Sequence, residues 1–259
     1  MNVFDLTGRY LRVFRLEPQP RAQWATVVTA GESTIIGKSI QDAGLRGPPG
    51  SIIVSTFRYA VFDSLGTQRA SLFELPARPR FVHAYGGVTH YPFIPFTVDP
   101  MVAVSGNKVF LSRGEANEIE VWSTSGKRTA TWTWSVHHTR VRDIWRRYTE
   151  IEYAKMTEAR DRTLYGHYYS MELPLPTHVP VASQLQVDPA GNLWVERFRL
   201  PWETERRWDV LDSGGRFLGT VASPGSLEVY QVGADFLLGR SRDSLDIEQV
   251  QVFRLTRGR

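Results

Sequence analysis

The sequence predicts an all-β fold assembled from repeated four-stranded units. Three observations predict it. A hairpin signature recurs along the chain, a strand–turn–strand element precedes most of its copies, and aromatic strand formers (12% of residues) alternate with 21 Gly and 15 Pro. Aromatic and β-branched residues fit a pleated surface, and Gly and Pro supply its turns.

The hairpin signature is an apolar pair, a small or acidic residue, turn residues and a Gly. It reads Val3-Phe4-Asp5-Leu6-Thr7-Gly8, Val61-Phe62-Asp63-Ser64-Leu65-Gly66, Val121-Trp122-Ser123-Thr124-Ser125-Gly126 and Val210-Leu211-Asp212-Ser213-Gly214-Gly215. A frayed fifth copy runs from Val252 to Gly258. A second apolar run follows each of the first four: Leu11 to Leu16, Ala70 to Leu75, Thr129 to Trp134 and Phe217 to Val221. An Asp or Ser side chain bonds turn amides, and Gly takes the positive φ.

The preceding element reads as inner strand, tight turn and second strand. Its copies are Val27–Glu32 into Thr34-Ile35-Ile36, Thr97-Val98-Asp99-Pro100 through Ser105-Gly106-Asn107 into Lys108–Leu111, Gln186–Asn192 into Leu193-Trp194-Val195, and Tyr230–Asp235 into Phe236-Leu237-Leu238. Two elements give four strands per repeat. The turn glycines at 8, 66, 126 and 215 stand 58, 60 and 89 residues apart. Blade repeats run about 40–50 residues, so the last interval holds an insertion. A β-propeller follows. It has full blades at 20–76, 95–135 and 183–222, a partial blade at 1–17, another at 226–257, and an insertion at 136–182. About five blades are present in one domain, and six are expected in the full ring. Both ends supply a third-type strand, so the reading expects missing N-terminal sequence.

Within the insertion one helix is expected from Thr139 to about Arg160. Val141, Ile144, Trp145, Tyr148, Ile151, Met156 and Ala159 recur at helical spacing. Thr139 is its expected cap and Asp143 faces the positive dipole end. An amphipathic helix here is a packed cover over the blade rim, or a lid or partner-docking helix.

The run Asp188-Pro189-Ala190-Gly191-Asn192-Leu193-Trp194-Val195, followed by Val210 to Gly215, resembles the NHL-like six-bladed β-propellers. More closely it resembles a group of uncharacterised bacterial propellers, mostly exported, that carry a helical insertion between blades. The resemblance covers nearly the whole chain. It implies blades around a central channel, ligands on one face, and a periplasmic or surface-anchored setting. Some relatives of this shape bind metal and open lactones. The acidic ligands of that chemistry are not identifiable here, so no catalytic residue carries over.

Composition narrows the function. No Cys is present, which excludes disulfides, thiolate metal sites and Cys nucleophiles. The net charge is +4, but Arg is scattered rather than gathered on one stripe, so nucleic acid is not an expected partner. No run approaches the ~20 apolar residues of a membrane span, and no signal peptide opens the chain. Gly-x-Ser-x-Gly, P-loop and dinucleotide motifs are missing. Trp208-Asp209 resembles the dipeptide of another propeller family, but it occurs once.

All six His lie in the two long connections between blades: His83 and His90 in 77–95, and His137, His138, His167 and His178 in 135–182. Such connections gather at one channel mouth, with Tyr85, Tyr91, Tyr168 and Tyr169. Loops between second and third strands add Asp42, Arg46, Trp202, Glu203, Arg242 and Asp243. Aromatic faces stack on planar or sugar ligands, and Arg pairs with carboxylate or phosphate. The expected ligand set is His83, Tyr85, His90, Tyr91, His137, His138, His167, Tyr168, Arg46 and Trp202. Asp99 and Asp188, which begin matching turns, are candidates to hold Ca²⁺ or Mg²⁺ through oxygen, or simply to satisfy turn amides. No other cofactor is expected. The leading reading is a non-enzymatic propeller that binds a small molecule, glycan, peptide or partner protein at the channel mouth. A metal-dependent hydrolase of the lactonase type and a structural module are the alternatives.

Overall fold

The computed structural model describes residues 2–4, 7–13, 15–16, 24–30, 34–41, 46–243 and 245–256. Strands β1 (Asn2–Phe4) and β2 (Tyr10–Val13) form a hairpin. The first meander follows: β3 (Trp24–Ala30), β4 (Thr34–Gln41), then a short β5 (Ile52–Ile53) inside the loop, β6 (Thr56–Asp63) and β7 (Gln68–Pro76). Its four long strands pair in the order β3-β4-β6-β7. The connection after it carries β8 (Arg80–Phe81), which pairs with β5, and the hairpin β9 (His83–Tyr85) and β10 (Val88–His90).

The second meander is β11 (Met101–Ser105), β12 (Lys108–Ser112), β13 (Glu118–Ser123) and β14 (Arg128–Thr133). Helices α1 (Val141–Ala154) and α2 (Ala159–Ser170) come next. The third meander is β15 (Ala182–Val187), β16 (Leu193–Arg197), β17 (Glu205–Leu211) and β18 (Phe217–Pro224). The last sheet has three strands, β19 (Glu228–Val232), β20 (Phe236–Arg242) and β21 (Glu248–Arg254).

The sheets stack face to face in chain order. Phe57, Tyr59 and Leu75 of the first meander meet Val109 and Leu111 of the second. Phe110, Ile119 and Trp132 meet Leu185, Leu193 and Leu211 of the third. Trp194, Trp208 and Val210 meet Leu227, Val229 and Leu237 of the last. The first strands are neighbours too: β11 lies between β3 and β15, and β15 touches β19. This stacking explains the burial patterns. β12 and β16 are buried almost residue by residue, as strands covered on both faces must be, whereas β14 and β18 are mostly exposed. Each large apolar side chain so buried contributes about 1.5–3 kcal/mol.

The repeat holds at atomic detail. Asp63 Oδ1 accepts the amides of Leu65 and Thr67, and Asp212 Oδ1 accepts those of Gly214 and Arg216. Gly66 and Gly126 close their turns at φ 88° and 86°, a region only Gly enters at no steric cost. The turn expected at 31–33 lies outside the described residues.

Three expectations are corrected. The insertion holds two helices, not one. α1 ends at Ala154, and Glu158 in extended backbone starts α2. Arg140, not Thr139, stands at the first N-cap, with no side-chain capping bond. Asp99 and Asp188 do not begin matching turns. Asp188 opens the turn between β15 and β16, whereas Asp99 lies ahead of β11, whose own turn is at Gly106-Asn107. No described helix is long and apolar enough to cross a membrane.

Candidate functional site

Gly86 and Gly87 build one wall. Both have positive φ, 59° and 78°, the geometry of a two-residue hairpin whose twist matches its strands. The resulting register sets His83 opposite His90, with ring centroids 6.2 Å apart. Beyond β10 the chain folds back: Arg80 bridges Phe93, and the Phe81 amide donates to the Pro92 carbonyl at 2.9 Å. Phe93 thereby carries two guanidinium groups over its ring, Arg80 at 3.8 Å and Arg78 at 4.6 Å.

The two helices form the opposite wall. Tyr168 of α2 is buried against Phe81, Ile94 and Leu173, and its hydroxyl donates to the Phe93 carbonyl at 3.2 Å. Trp145 of α1 packs against both Tyr169 and Phe96. Between the walls lies a cavity of about 630 Å³, within the range of small-molecule sites. It is lined by Arg78, Arg80, His83, His90, Tyr91, Phe93, Tyr148, Tyr165, Tyr168 and Tyr169, with Glu152 and Lys155 at one side.

His83 is the unusual group. It is fully buried. Its Nε2 lies 3.2 Å from His167 Nδ1, and its own Nδ1 has no hydrogen-bond partner. In a neutral pair one ring donates and the other accepts, so Nδ1 carries an unmet hydrogen bond in either tautomer. Burial, then the neighbouring His167 and His90, holds the His83 pKa below its ordinary value. Burial likewise pushes Tyr148 up to about 12, with Glu152 adding to the shift, and raises Tyr168 and Tyr169. The phenols therefore stay un-ionised at neutral pH.

The charges do not balance. Lys155 is neutralised by Glu152 at 2.6 Å. Arg80 donates to the Tyr91 carbonyl at 2.8 Å, and Arg78 donates to Thr97 Oγ1 and the Ile94 carbonyl. These acceptors are neutral, and among the described residues neither guanidinium is in an ion pair. Burial lowers the Arg78 pKa, but a guanidinium remains protonated in proteins.

Six of the ten expected ligand residues converge here. His83, His90, Tyr91 and Tyr168 line the cavity, while Tyr85 and His167 meet His83 edge to face and lie 4.9 Å from each other, tilted. The others do not join them. His137 and Trp202 line a separate cavity of about 360 Å³. His138 packs against His178 at 5.8 Å. Arg46 is exposed, and Asp42 lies outside the described residues. In the second cavity the cations are already engaged. Arg197 pairs with Asp209, Arg207 with Glu205, and Arg199 donates to the Glu203 carbonyl. The second-to-third-strand loop nevertheless reaches the helices, since Arg147 of α1 stacks over Trp202 at 4.3 Å.

The two carboxylates considered for Ca²⁺ or Mg²⁺ hold protein donors. Asp188 accepts from the amides of Ala190 and Asn192, from Asn192 Nδ2 and from Trp194 Nε1. Asp99 accepts the Arg78 amide at 2.7 Å. Among the described residues no group of three or more His, Cys, Asp or Glu is arranged to hold a metal ion. Sequence reasoning missed Arg78, Arg80, Phe93, Tyr148 and Tyr165 as site residues. The Arg78-Pro79-Arg80 run beside His83 in the same connection is the signal that finds the first two.

No family model matches the chain, and no curated protein matches it. Among solved structures, the AfRom2 CNH domain aligns over 98% of this chain and 70% of its own, at 8% identity and a TM-score of 0.33. A likeness that slight carries no argument.

Proposed function

We propose that the chain is a non-enzymatic binding module of the β-propeller type, and that it holds a small organic molecule between the β9–β10 hairpin and the helix pair. The stacking of successive meanders with neighbouring first strands supports the propeller reading. The NHL-like resemblance extends the proposal to six blades and an exported protein. One observation carries the site: a fully buried His83 with an unmet nitrogen on the wall of a cavity large enough for a ligand. Native proteins rarely leave such a group unpaired, because it costs about 1–3 kcal/mol. Asp99 and Asp188 are spent on backbone and turn donors, so the lactonase-type alternative gains no support from them.

The test is a fragment screen by thermal shift on the protein and on Leu164→Trp, which fills the cavity from α2. A ligand of the folded state raises its melting temperature. Fragments that stabilise the parent and not the variant are expected. Equal stabilisation of both, or none of either, rejects the site.

A further inference from the structure

We infer that the occupant of this cavity is a planar organic anion, an aromatic ring system bearing a carboxylate or phosphate, a reading that rests on the cavity being the binding site. Three observations point to it. First, the lining carries a surplus of two positive charges once Lys155 and Glu152 cancel. Arg78 and Arg80 spend donors only on neutral oxygens and retain free N–H groups, since a guanidinium has five. Asp99 offsets part of the Arg78 charge, but Arg80 is in no ion pair among the described residues; a partly buried cation so placed is costly, and a bound anion removes that cost.

Second, both guanidinium carbons lie over the Phe93 ring, at 4.6 and 3.8 Å from its centroid. The ring holds them beside the cavity, where a guanidinium's planar fork suits a carboxylate or phosphate better than a flexible ammonium does. Third, four tyrosines of the helices share the lining: Tyr148, Tyr165, Tyr168 and Tyr169. Such walls favour a flat ring over an aliphatic chain. The His83 ring, which lines the same cavity and contacts His167, sits where it reports occupancy.

The experiment compares 2-naphthoate, 2-naphthyl phosphate and the neutral 2-naphthamide. Affinity is measured by calorimetry, and site occupancy by the imidazole NMR signals of His83 and His167. Both anions are expected to shift those signals, and the tighter of them identifies the acid group. The amide is expected to bind at least tenfold more weakly. Affinity for the anions, and not for the amide, is expected to fall with added salt. Arg80→Gln should weaken both anions at least tenfold and leave the amide unchanged. Arg80→Lys should fall between, keeping the charge and losing the fork. Amide retention by Arg80→Gln shows that the variant is folded. If the amide binds as tightly as the anions, the anion assignment falls and the pocket stands. If no probe moves the His83 and His167 signals, both fall.

Discussion

Asp209 is wholly buried, yet its charge is fully met. Arg197 grips both oxygens, at 2.9 and 2.8 Å, Trp134 Nε1 donates at 3.0 Å and Thr220 Oγ1 at 2.8 Å. Trp134 comes from the second meander and the others from the third, so the carboxylate ties two sheets together. Asp209→Ala strands an indole N–H and a guanidinium at once, and we expect a loss of about 3 kcal/mol in urea unfolding. Part of the Arg197 cost is relieved because that side chain is 39% exposed and reaches water. His83 gives a second prediction at this scale. Its folded-state pKa is depressed by burial and by His167 and His90, so folding favours the neutral ring. The unfolded chain takes the proton first as the pH drops below about 6.5. Stability is therefore full above that pH and is lost as acid carries the pH down through the lower folded value. The melting temperature should decline from pH 7 to 5, and His83→Phe should decline less steeply over that window. Little of this was legible in the residues alone. Trp208-Asp209 reads as a lone dipeptide, because nothing local shows that Arg197 and Trp134 will meet it.

Hairpins and helices differ in how plainly they announce themselves. The strands were legible because each turn carries its own chemistry: an Asp or Ser that accepts turn amides and a Gly at positive φ. Gly215 does more than turn. A Cβ there would overlap the Trp132 ring of the preceding meander, whereas one at Gly106 would meet nothing. Gly215→Ala should therefore cost about 2 kcal/mol or more, combining backbone strain with overpacking. Gly106→Ala should cost about 1 kcal/mol, from the left-handed backbone alone. Chemical denaturation of the pair separates the two terms. α1 was legible through its apolar stripe, and α2 was not. Tyr165, Tyr168 and Tyr169 share one face at i, i+3 and i+4, but that stripe spans little more than a turn, the first half of α2 is polar, and Gly166 interrupts it. A Cβ at Gly166 would come 3.3 Å from the Tyr153 ring, and that ring is half-exposed and free to yield. Gly166→Ala should then raise the melting temperature, by an amount matching up to about 1 kcal/mol of helix propensity.

Across the whole molecule, each sheet touches chiefly the sheets before and after it. The order of the meanders was readable from their repeated signatures. The meeting of His83 with His167, 84 residues apart, was not, because the fold-back of both connections under the helices has no local code. The last sheet ends on β21, an edge strand with Val250 80% and Val252 66% exposed. Bare apolar edges template association, so Val252→Lys should reduce light scattering in concentrated solution while leaving the melting temperature unchanged. The nearest-neighbour layout also bears on how the protein comes apart. Where units hold only their immediate neighbours, local openings need not be shared by the rest. Among the described residues β19 to β21 pack against one sheet, that of the third meander, so their amides should exchange with deuterium at a lower opening free energy than those of β12 and β16. Phe96 and Leu200 are both clamped by Val141 and its helix, which gives the two central sheets a shared fastening and makes them the last part of the chain to let go.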